Sequence, residues 1–521
     1  MRLAPLCTLS LLPAIPLSGQ GPAKPAPRLV VAIAIDQFRA DYLDRWRGQF
    51  TGGLAWLLRE GVFFPHGEQD HAITETAPGH STMMSGRSPA STGIVTNELG
   101  VTDPASPLLG SAAMGASPRR FQGTTLFDWM FARDPNTKSL SVSRKDRGAI
   151  LPMGRAKAPV FWWSAGRFTT SRYYADSLPT WVTAWNARDP VDRLKGSVWT
   201  LLRPDSFYPE RDDRSFEAGG VDRVFPHRVP EDSARAANQI INYPVFDSLT
   251  LDLTIDGIGA LGLGQRNGTD FVAISLSTTD AIGHRWGPGS RELHDQVLDV
   301  DRWLGQFLDS LGKLVPLDRV IVTLTSDHGV TEFPEAGVGG RLDLEPDVRA
   351  LNAWARRSGD STLHATTEAG LIMGDFSAAA TTYHLNVDSA GDALAAVIAS
   401  RRGVRRTYTP RTLARARSSD IDAMRWQRQI PHGFSWIVAV AVQPGWIFAS
   451  GGGSTSHGTT NPDDVTVPIV FRVPGTPAAR VERPARTVDI APTLASILGI
   501  KPLEAVEGVP LPEALRHSPR H

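Results

Sequence analysis

Three carboxylates and three imidazoles stand out, because most of them follow a short apolar run. They occur as a D-x-x-x-H motif, as an adjacent Asp-His pair, as a lone Asp and as a His in a Gly/Ser-rich loop. These residues are Asp280 with His284, Asp327 with His328, Asp36, and His457. Mixed nitrogen and oxygen donors in this number suit two divalent transition-metal ions, with zinc the first expectation. The single cysteine argues against a closed structural zinc site.

A hydroxyl is the candidate nucleophile. Thr76 stands in ETAPGHSTMMSG, residues 75–86, two positions before Pro78. Proline favours the first turn of a helix, where unpaired backbone N–H groups and the helix dipole stabilise an alkoxide or a phosphate. Taken alone, Thr76 would equally be a plain helix cap.

Two further polar groups have the chemistry to bind a phosphoryl group. Lys145 and Arg147 occur in SVSRKDRGAI, residues 141–150, and in an extended segment they lie on one face. An ammonium and a guanidinium fork match phosphoryl oxygens, although an isolated K-x-R is usually solvated surface. The amide of Asn97, in TGIVTNELG, has a donor for an oxyanion.

The elements that position these residues read as buried strands. LVVAIAID (29–36), FVAISLSTTD (271–280) and RVIVTLTSD (319–327) are short apolar runs that each end on an aspartate. Strands that are buried on both faces have this composition, and open α/β sheets place their sites at the carboxyl ends of strands. Between the second and third runs, residues 291–314 carry apolar side chains at spacings of three and four, which predicts a crossover helix.

The remaining chain is interpreted as one α/β domain with a largely parallel central sheet flanked by helices, spanning residues 26–521. Two irregular segments, near residues 150–265 and 333–450, are expected to be insertions that form a cap, with separate small domains as the alternative. Trp162, Trp163, Tyr173 and Tyr174 belong to the first insertion and are either cap core or substrate contacts.

Composition restricts the partners. The 521 residues include 54 Lys+Arg and 54 Asp+Glu, so no net charge favours nucleic acid or an anionic membrane. No apolar stretch reaches the length of a membrane span. Residues 1–25 read as a signal peptide and spacer that contain Cys7, which predicts a periplasmic or secreted protein without disulfides.

The set of motifs resembles the alkaline phosphatase superfamily. It is most similar to the branch shared by nucleotide pyrophosphatase/phosphodiesterases and PafA-type bacterial alkaline phosphatases. T-x-P-x-H at Thr76, GIV-x-N at Asn97, DAIGH at Asp280, S-DHG at Asp327 and a late HG at His457 follow the family order. The match extends from about Leu29 to DIAPTLASILGI, residues 489–500.

The resemblance implies an alkaline phosphatase-like fold, two Zn²⁺ ions and a covalent phosphothreonine that water hydrolyses. One ion would be bound by Asp280, His284 and His457, and the other by Asp36, Asp327, His328 and the Thr76 oxygen. In PafA-type enzymes a KDR segment supplies Lys and Arg to the phosphate. The resemblance therefore implies a hydrolase of phosphate monoesters, with small-molecule esters as partners and some side activity on diesters.

Other functions stay open at this stage. A phosphodiesterase or nucleotide pyrophosphatase shares the core motifs, and the aromatic-rich insertion would then stack a base. A phosphate-binding protein without turnover and a phosphoryl transferase are weaker alternatives. The oligomeric state is not determined by these patterns, and a monomer is favoured.

Overall fold

The computed structural model describes residues 26–337, 339–449 and 454–515. The predicted signal segment, residues 1–25 with Cys7, lies outside the described residues. None of the helices in these ranges has both the length and the hydropathy that crossing a bilayer requires.

A large mixed sheet forms the centre of the molecule. Its strands, in chain order, are β1 Leu29–Ile35, β2 Val62–Glu68, β3 Ser139–Ser143, β4 Val160–Ser164, β5 Arg167–Thr169, β6 Asp270–Leu276, β7 Val320–Thr325, β8 Thr466–Arg472, β9 Ala479–Arg480 and β10 Ala485–Arg486. They are arranged in the order β9-β2-β8-β7-β1-β6-β3-β4-β5, and β10 also pairs with β2. The strands β7, β1, β6, β3 and β4 are mutually parallel. The predicted α/β class with a largely parallel central sheet is confirmed.

Strand β1 shows why the sequence has an unbroken apolar run. Val31 and Ile33 pack into one apolar cluster with helices on one face of the sheet. Val30 and Ala32 pack into a second cluster on the opposite face. Because both faces are covered, every side chain of the strand is buried, and no alternation of polar and apolar residues is needed.

Helices cover both faces of the sheet. Among the described residues, the helices of eight or more residues outside the segment 333–450 are Gly53–Glu60, Thr76–Met83, Leu126–Arg133, Val245–Leu261, Thr278–Trp286, Arg291–Leu314 and Ile490–Leu498. Within that segment they are Glu345–Arg357, Phe376–Tyr383, Val387–Ala399 and Ile421–Gln429. The predicted crossover helix over residues 291–314 is confirmed at both ends. Its apolar stripe is buried, which fixes the connection from β6 to β7 against the sheet.

The segment 150–265 contributes to the central layers. Strands β4 and β5 extend the sheet edge, and the helix Val245–Leu261 packs on Arg291–Leu314. Trp162 and Trp163 on β4 are buried, and Trp163 packs edge-on against Phe168 and Phe246. These tryptophans are therefore core residues.

The segment 333–450 has its own sheet and apolar cluster. Strands Thr366–Glu368, Leu371–Met373, Trp436–Val442 and Val404–Tyr408 form an antiparallel sheet in that order. Leu342, Ile372 and Val438 belong to a cluster separate from those of the central sheet. The division into one catalytic domain with two insertions stays a prediction.

Candidate active site

The candidate ligands meet at the carboxyl edge of the central parallel strands. Asp36 directly follows β1, and Asp327 lies two residues after β7. The prediction that Asp280 ends a strand was wrong, because β6 stops at Leu276. Asp280 lies instead in the first turn of the helix Thr278–Trp286. The helical turn brings His284, four residues later, to the same face, with Nε2 3.2 Å from Asp280 Oδ1.

Asp280, His284 and His457 form the first donor cluster. Their candidate ligand atoms lie within 4.8 Å of one another. His457 Nε2 lies 3.2 Å from His284 Nε2 and 3.7 Å from Asp280 Oδ1. His457 comes from a loop 173 positions away from His284, so only the tertiary fold joins them.

The second donor cluster differs from the predicted set in one member. Asp36, His328 and Asp280 have ligand atoms within 4.8 Å of one another, whereas the resemblance implied Asp327. His328 Nε2 lies 3.4 Å from Asp36 Oδ1 and 3.7 Å from Asp327 Oδ2. Asp327 therefore lies beside this cluster, and Asp280 lies between the two clusters.

All three candidate imidazoles are held in the same way. Nδ1 of His284, of His328 and of His457 lies 2.8, 2.9 and 2.7 Å from the backbone carbonyls of Thr455, Gly329 and Thr74, respectively. A carbonyl accepts only from N–H, so Nδ1 carries the proton in each ring. This leaves Nε2 of each neutral ring to bind a metal ion, and the carbonyl fixes the orientation of the ring.

Several buried polar atoms of the candidate ligands are available to bind a metal ion. Asp36 Oδ1, Asp327 Oδ2 and His328 Nε2 are buried, and apart from their ion-pair contacts with one another and with His80 they have no hydrogen-bond partner. Buried polar groups are nearly always paired, and unpaired ones are costly. These donor types, their convergence and their unpaired atoms fit divalent transition-metal ions such as zinc.

Thr76 is the first residue of the helix Thr76–Met83, and it is buried. The helix approaches the Asp327 loop so closely that a Cβ at position 79 would overlap the backbone of Asp327. Gly79 therefore permits this packing. Thr76 is thus placed at the positive end of a helix dipole.

Lys145 reaches the centre of the site. Its Nζ lies 3.0 Å from Thr76 Oγ1 and 2.7 Å from a carboxylate oxygen of both Asp36 and Asp280. The expectation of one extended segment was wrong, because Lys145 is extended but a helix begins at Asp146. Arg147 therefore lies in the first turn of this helix, and its Nη1 is 3.4 Å from Asp146 Oδ1.

The side chain of Asn97 is oriented by the helix Thr76–Met83. Its Oδ1 accepts a hydrogen bond of 2.8 Å from Ala77 N–H, next to Thr76. The backbone N–H of Asn97 donates to Glu75 Oε2 at 3.0 Å. Because the oxygen of the amide is used, Nδ2 keeps its N–H groups for an oxyanion.

The electrostatics of the site follow from burial and from the opposed charges. Burial and Asp280 raise the pKa of Asp36, but Lys145 and His328 outweigh them and hold it well below its usual range. Burial lowers the pKa of His328, but Asp327 and Asp36 raise it to about 9. Burial, together with the neighbouring imidazoles of His328 and His284, holds the pKa of His457 well below its usual value.

Several residues that contact the candidate ligands were assigned no role in the sequence analysis, among them Gln37 and His80, the last residue of the T-x-P-x-H motif. His80 Nδ1 lies 3.1 Å from Asp327 Oδ2, and its spacing of four from Thr76 in a helix was the available signal. Gln37 donates to Asp280 and Asp327. Its only signal was its position directly after Asp36.

Comparison with known proteins identifies the class. The family model for type I phosphodiesterases/nucleotide pyrophosphatases matches residues 30–463. The chain belongs to this family and, within the alkaline phosphatase superfamily, to its PafA-type branch. The predicted membership and the predicted hydrolase class are confirmed.

Particular relatives cover almost the whole chain. Alkaline phosphatase PhoV of Synechococcus elongatus is 31% identical over 91% of this chain and 90% of its own length. Alkaline phosphatase PafA of Elizabethkingia meningoseptica is 28% identical over 95% of each chain. A crystal structure of wild-type PafA has a TM-score of 0.87 at 27% identity, covering 94% of this chain and 99% of that chain. A PafA variant with one threonine, one asparagine, one lysine and one arginine replaced has a TM-score of 0.86 at 26% identity, with the same coverage.

Proposed function

We propose that the protein is an exported alkaline phosphatase that hydrolyses phosphate monoesters through a phosphothreonine at a two-zinc site. The observation that carries the proposal is the position of Lys145. Its ammonium touches the Thr76 hydroxyl and a carboxylate from each donor cluster. A fixed cation beside a nucleophile and two metal sites suits the dianion of a phosphate monoester.

The donor clusters and the family resemblance together suggest the metal ligands. One zinc ion would be held by Asp280, His284 and His457. The other would be held by Asp36 and His328 together with Asp327, which the resemblance implies and whose Oδ2 lies 3.7 Å from His328 Nε2. Thr76 Oγ1 would be an additional ligand. When bound, the two ions supply the positive charge that stabilises the attacking and leaving oxygens of an in-line displacement. His328 must lose its Nε2 proton to bind, so loading of this site is favoured by rising pH.

The chain's own residues then carry two displacements. Thr76 Oγ1 loses its proton to solvent and attacks phosphorus, so that an Oγ1–P bond forms while the ester P–O bond breaks. The alkoxide leaves and takes up a proton from solvent to give the alcohol. Water then attacks the phosphothreonine and loses a proton to solvent, the Oγ1–P bond breaks, and Thr76 Oγ1 regains a proton as inorganic phosphate leaves.

Lys145, Arg147 and Asn97 would stabilise the phosphoryl oxygens. The PafA variant described above carries replacements of the same four residue types as Thr76, Asn97, Lys145 and Arg147. Its threonine and asparagine are as far apart in sequence as Thr76 and Asn97, and its lysine and arginine are as far apart as Lys145 and Arg147. This agreement supports the assignment of Thr76, Asn97, Lys145 and Arg147 as the residues that act on the phosphoryl group in this protein.

A phosphodiesterase is the second candidate, because the family model is named for that activity. A diester has one negative charge and a second organic group, so it gains less from a lysine and an arginine. Relatives that match along the full chain are named alkaline phosphatases, which favours the monoesterase.

The test compares kcat/KM for an aryl phosphate monoester with that for the matching aryl diester, on zinc-loaded protein at about pH 8. Thr76→Ala serves as the control for the nucleophile, and Thr76→Ser as the conservative variant. We expect a monoester preference of several orders of magnitude that Thr76→Ala abolishes and Thr76→Ser partly keeps. Faster hydrolysis of the diester would refute the proposal in favour of the second candidate.

Export is a separate part of the proposal, supported by the composition of residues 1–25. Expression in a bacterium with a periplasm, followed by N-terminal sequencing of the periplasmic protein, tests it. We expect cleavage between Gly19 and Ala26. An intact N-terminus in the cytoplasmic fraction would contradict export.

A further inference from the structure

Gln37 is a buried amide that contacts both donor clusters. Its side-chain Nε2 donates to Asp280 Oδ1 at 3.1 Å, and its backbone N–H donates to Asp327 Oδ1 at 3.1 Å. The residue has no exposed surface. One residue therefore links a candidate ligand of the first cluster to the loop that carries the second.

The backbone of Gln37 is strained in a way that serves these contacts. Its φ of 63° lies in the left-handed region, which is uncommon for a residue other than glycine. Such strain persists only where the surrounding structure imposes it, often at functional sites. Here the left-handed turn directs the N–H to Asp327 and the side chain to Asp280.

The neighbouring helix leaves room for the amide. Gln37 Oε1 is buried without a hydrogen-bond partner, and it occupies the space where a Cβ at position 283 would lie. Gly283 belongs to the DAIGH motif, one residue before His284. The absent side chain at 283 thus admits Gln37 to the carboxylate of Asp280.

We propose that Gln37 is a positioning residue that fixes Asp280 between the two metal sites. This inference rests on the proposed function, because it assigns Asp280 as a metal ligand. With Oδ1 of Asp280 held by Gln37 and Oδ2 held by Lys145, the carboxylate plane cannot rotate. Loss of a group that orients a ligand typically weakens metal binding by roughly 10- to 100-fold.

The first experiment measures zinc binding without substrate. Gln37→Met keeps the volume of the side chain and removes the donor, and Gln37→Ala removes both. Metal-depleted protein is titrated with zinc against a chromophoric chelator, and its thermal midpoint is recorded. We expect zinc affinity to fall about 10- to 100-fold at one site or both, with a higher KM or lower kcat in the same variants.

Gln296→Met is the matched control. Gln296 is also buried, and its Nε2 donates to Asp247 and to Thr279 Oγ1 on the helix that carries Asp280, without touching Asp280. A merely structural role would give Gln296→Met and Gln37→Met the same profile. Unchanged zinc affinity in Gln37→Met would also overturn the proposal.

A double-mutant cycle keeps the proposal testable if Gln37→Met folds poorly. Gly283→Ala should displace the Gln37 amide and weaken zinc binding by itself. In a Gln37→Ala background the new methyl group has space, so Gly283→Ala should have little further effect. Additive effects of the two changes would overturn the proposal. If the variants change zinc binding as expected but the parent protein hydrolyses no ester, the proposed function is refuted and this inference still holds.

Discussion

The ammonium of Lys145 and the hydroxyl of Thr76 lie 3.0 Å apart, although 69 positions separate the two residues in the chain. Lys145 precedes a short helix after β3, and Thr76 begins the helix that packs on the Asp327 loop. The contact places an amino group at the atom that the proposed reaction uses first. A dianionic phosphate bound there would meet charge on its non-bridging oxygens.

Lys145→Ala should therefore separate monoesters from diesters. We expect kcat/KM for an aryl monoester to fall by about 10²–10³, the loss of roughly 3–4 kcal/mol seen when one preorganised donor is removed. For the diester we expect a change below about tenfold. Steady-state kinetics of both substrates check this, with the exposed Lys157→Ala as control. Equal losses on both substrates would contradict the assigned role of Lys145.

Asp464 should be required to hold two ligand loops together. Its Oδ2 accepts from Thr459 N–H and from the Thr459 hydroxyl, at 3.0 and 2.7 Å, and its Oδ1 accepts from the Thr331 hydroxyl at 2.8 Å. Thr459 lies two residues after His457, and Thr331 three residues after His328. We expect Asp464→Asn to lower the unfolding free energy by about 2 kcal/mol and to weaken zinc retention.

The measurement is the zinc content of Asp464→Asn after dialysis against a weak chelator, together with its thermal midpoint. The matched control is Asp463→Asn, because Asp463 is adjacent but half-exposed and pairs with Arg39. Normal zinc retention in Asp464→Asn would show that the two loops do not depend on this carboxylate.

Asp301 should stabilise the fold without affecting catalysis. Its carboxylate accepts from four backbone N–H groups at the start of the helix Gly53–Glu60, those of Thr51, Gly52, Leu54 and Ala55. We expect Asp301→Ala to cost roughly 3 kcal/mol of unfolding free energy, since it leaves four backbone donors without this partner, that of Leu54 buried and the others partly buried. Urea denaturation measures the loss, with the exposed Asp309→Ala on the same helix as control. At a temperature where the variant is folded, kcat/KM should stay within about twofold.

Asp299 gives the stability a defined pH dependence. Burial raises the pKa of its carboxyl to about 7; the nearby Arg302 opposes this shift and Asp295 adds to it. Because the folded state then binds the proton more tightly than the unfolded state, this group lowers stability as pH rises from about 4 to 7. We expect the unfolding free energy of Asp299→Asn, relative to that of the parent protein, to be about 1–2 kcal/mol higher at pH 8 than at pH 5.

Urea unfolding of both proteins at the two pH values, at constant excess zinc, provides the comparison for Asp299. The difference between variant and parent removes the contribution of the metal sites, which both proteins share. An identical difference at pH 5 and pH 8 would show that Asp299 does not titrate in this window.

The sequence by itself determined the layers of the fold and most of the candidate site. Runs such as LVVAIAID are apolar on both faces, and only a covered parallel sheet buries them completely. The spacing in residues 291–314 determined the crossover helix in the same local way. Motif order was enough to select Asp36, Thr76, Asp280, His284, Asp327, His328 and His457.

The tertiary structure decided the contacts that no local pattern contains. Asp280 lies in a helix and not at a strand end, because the polar run STTD that follows Leu276 suits the start of a helix better than a buried strand. Lys145, Gln37 and Asp464 act on groups that are distant in sequence, and their partners depend on how the sheet brings separate loops together. Strand edges align distant residues through backbone pairing, whereas periodicity records only which face of an element is buried.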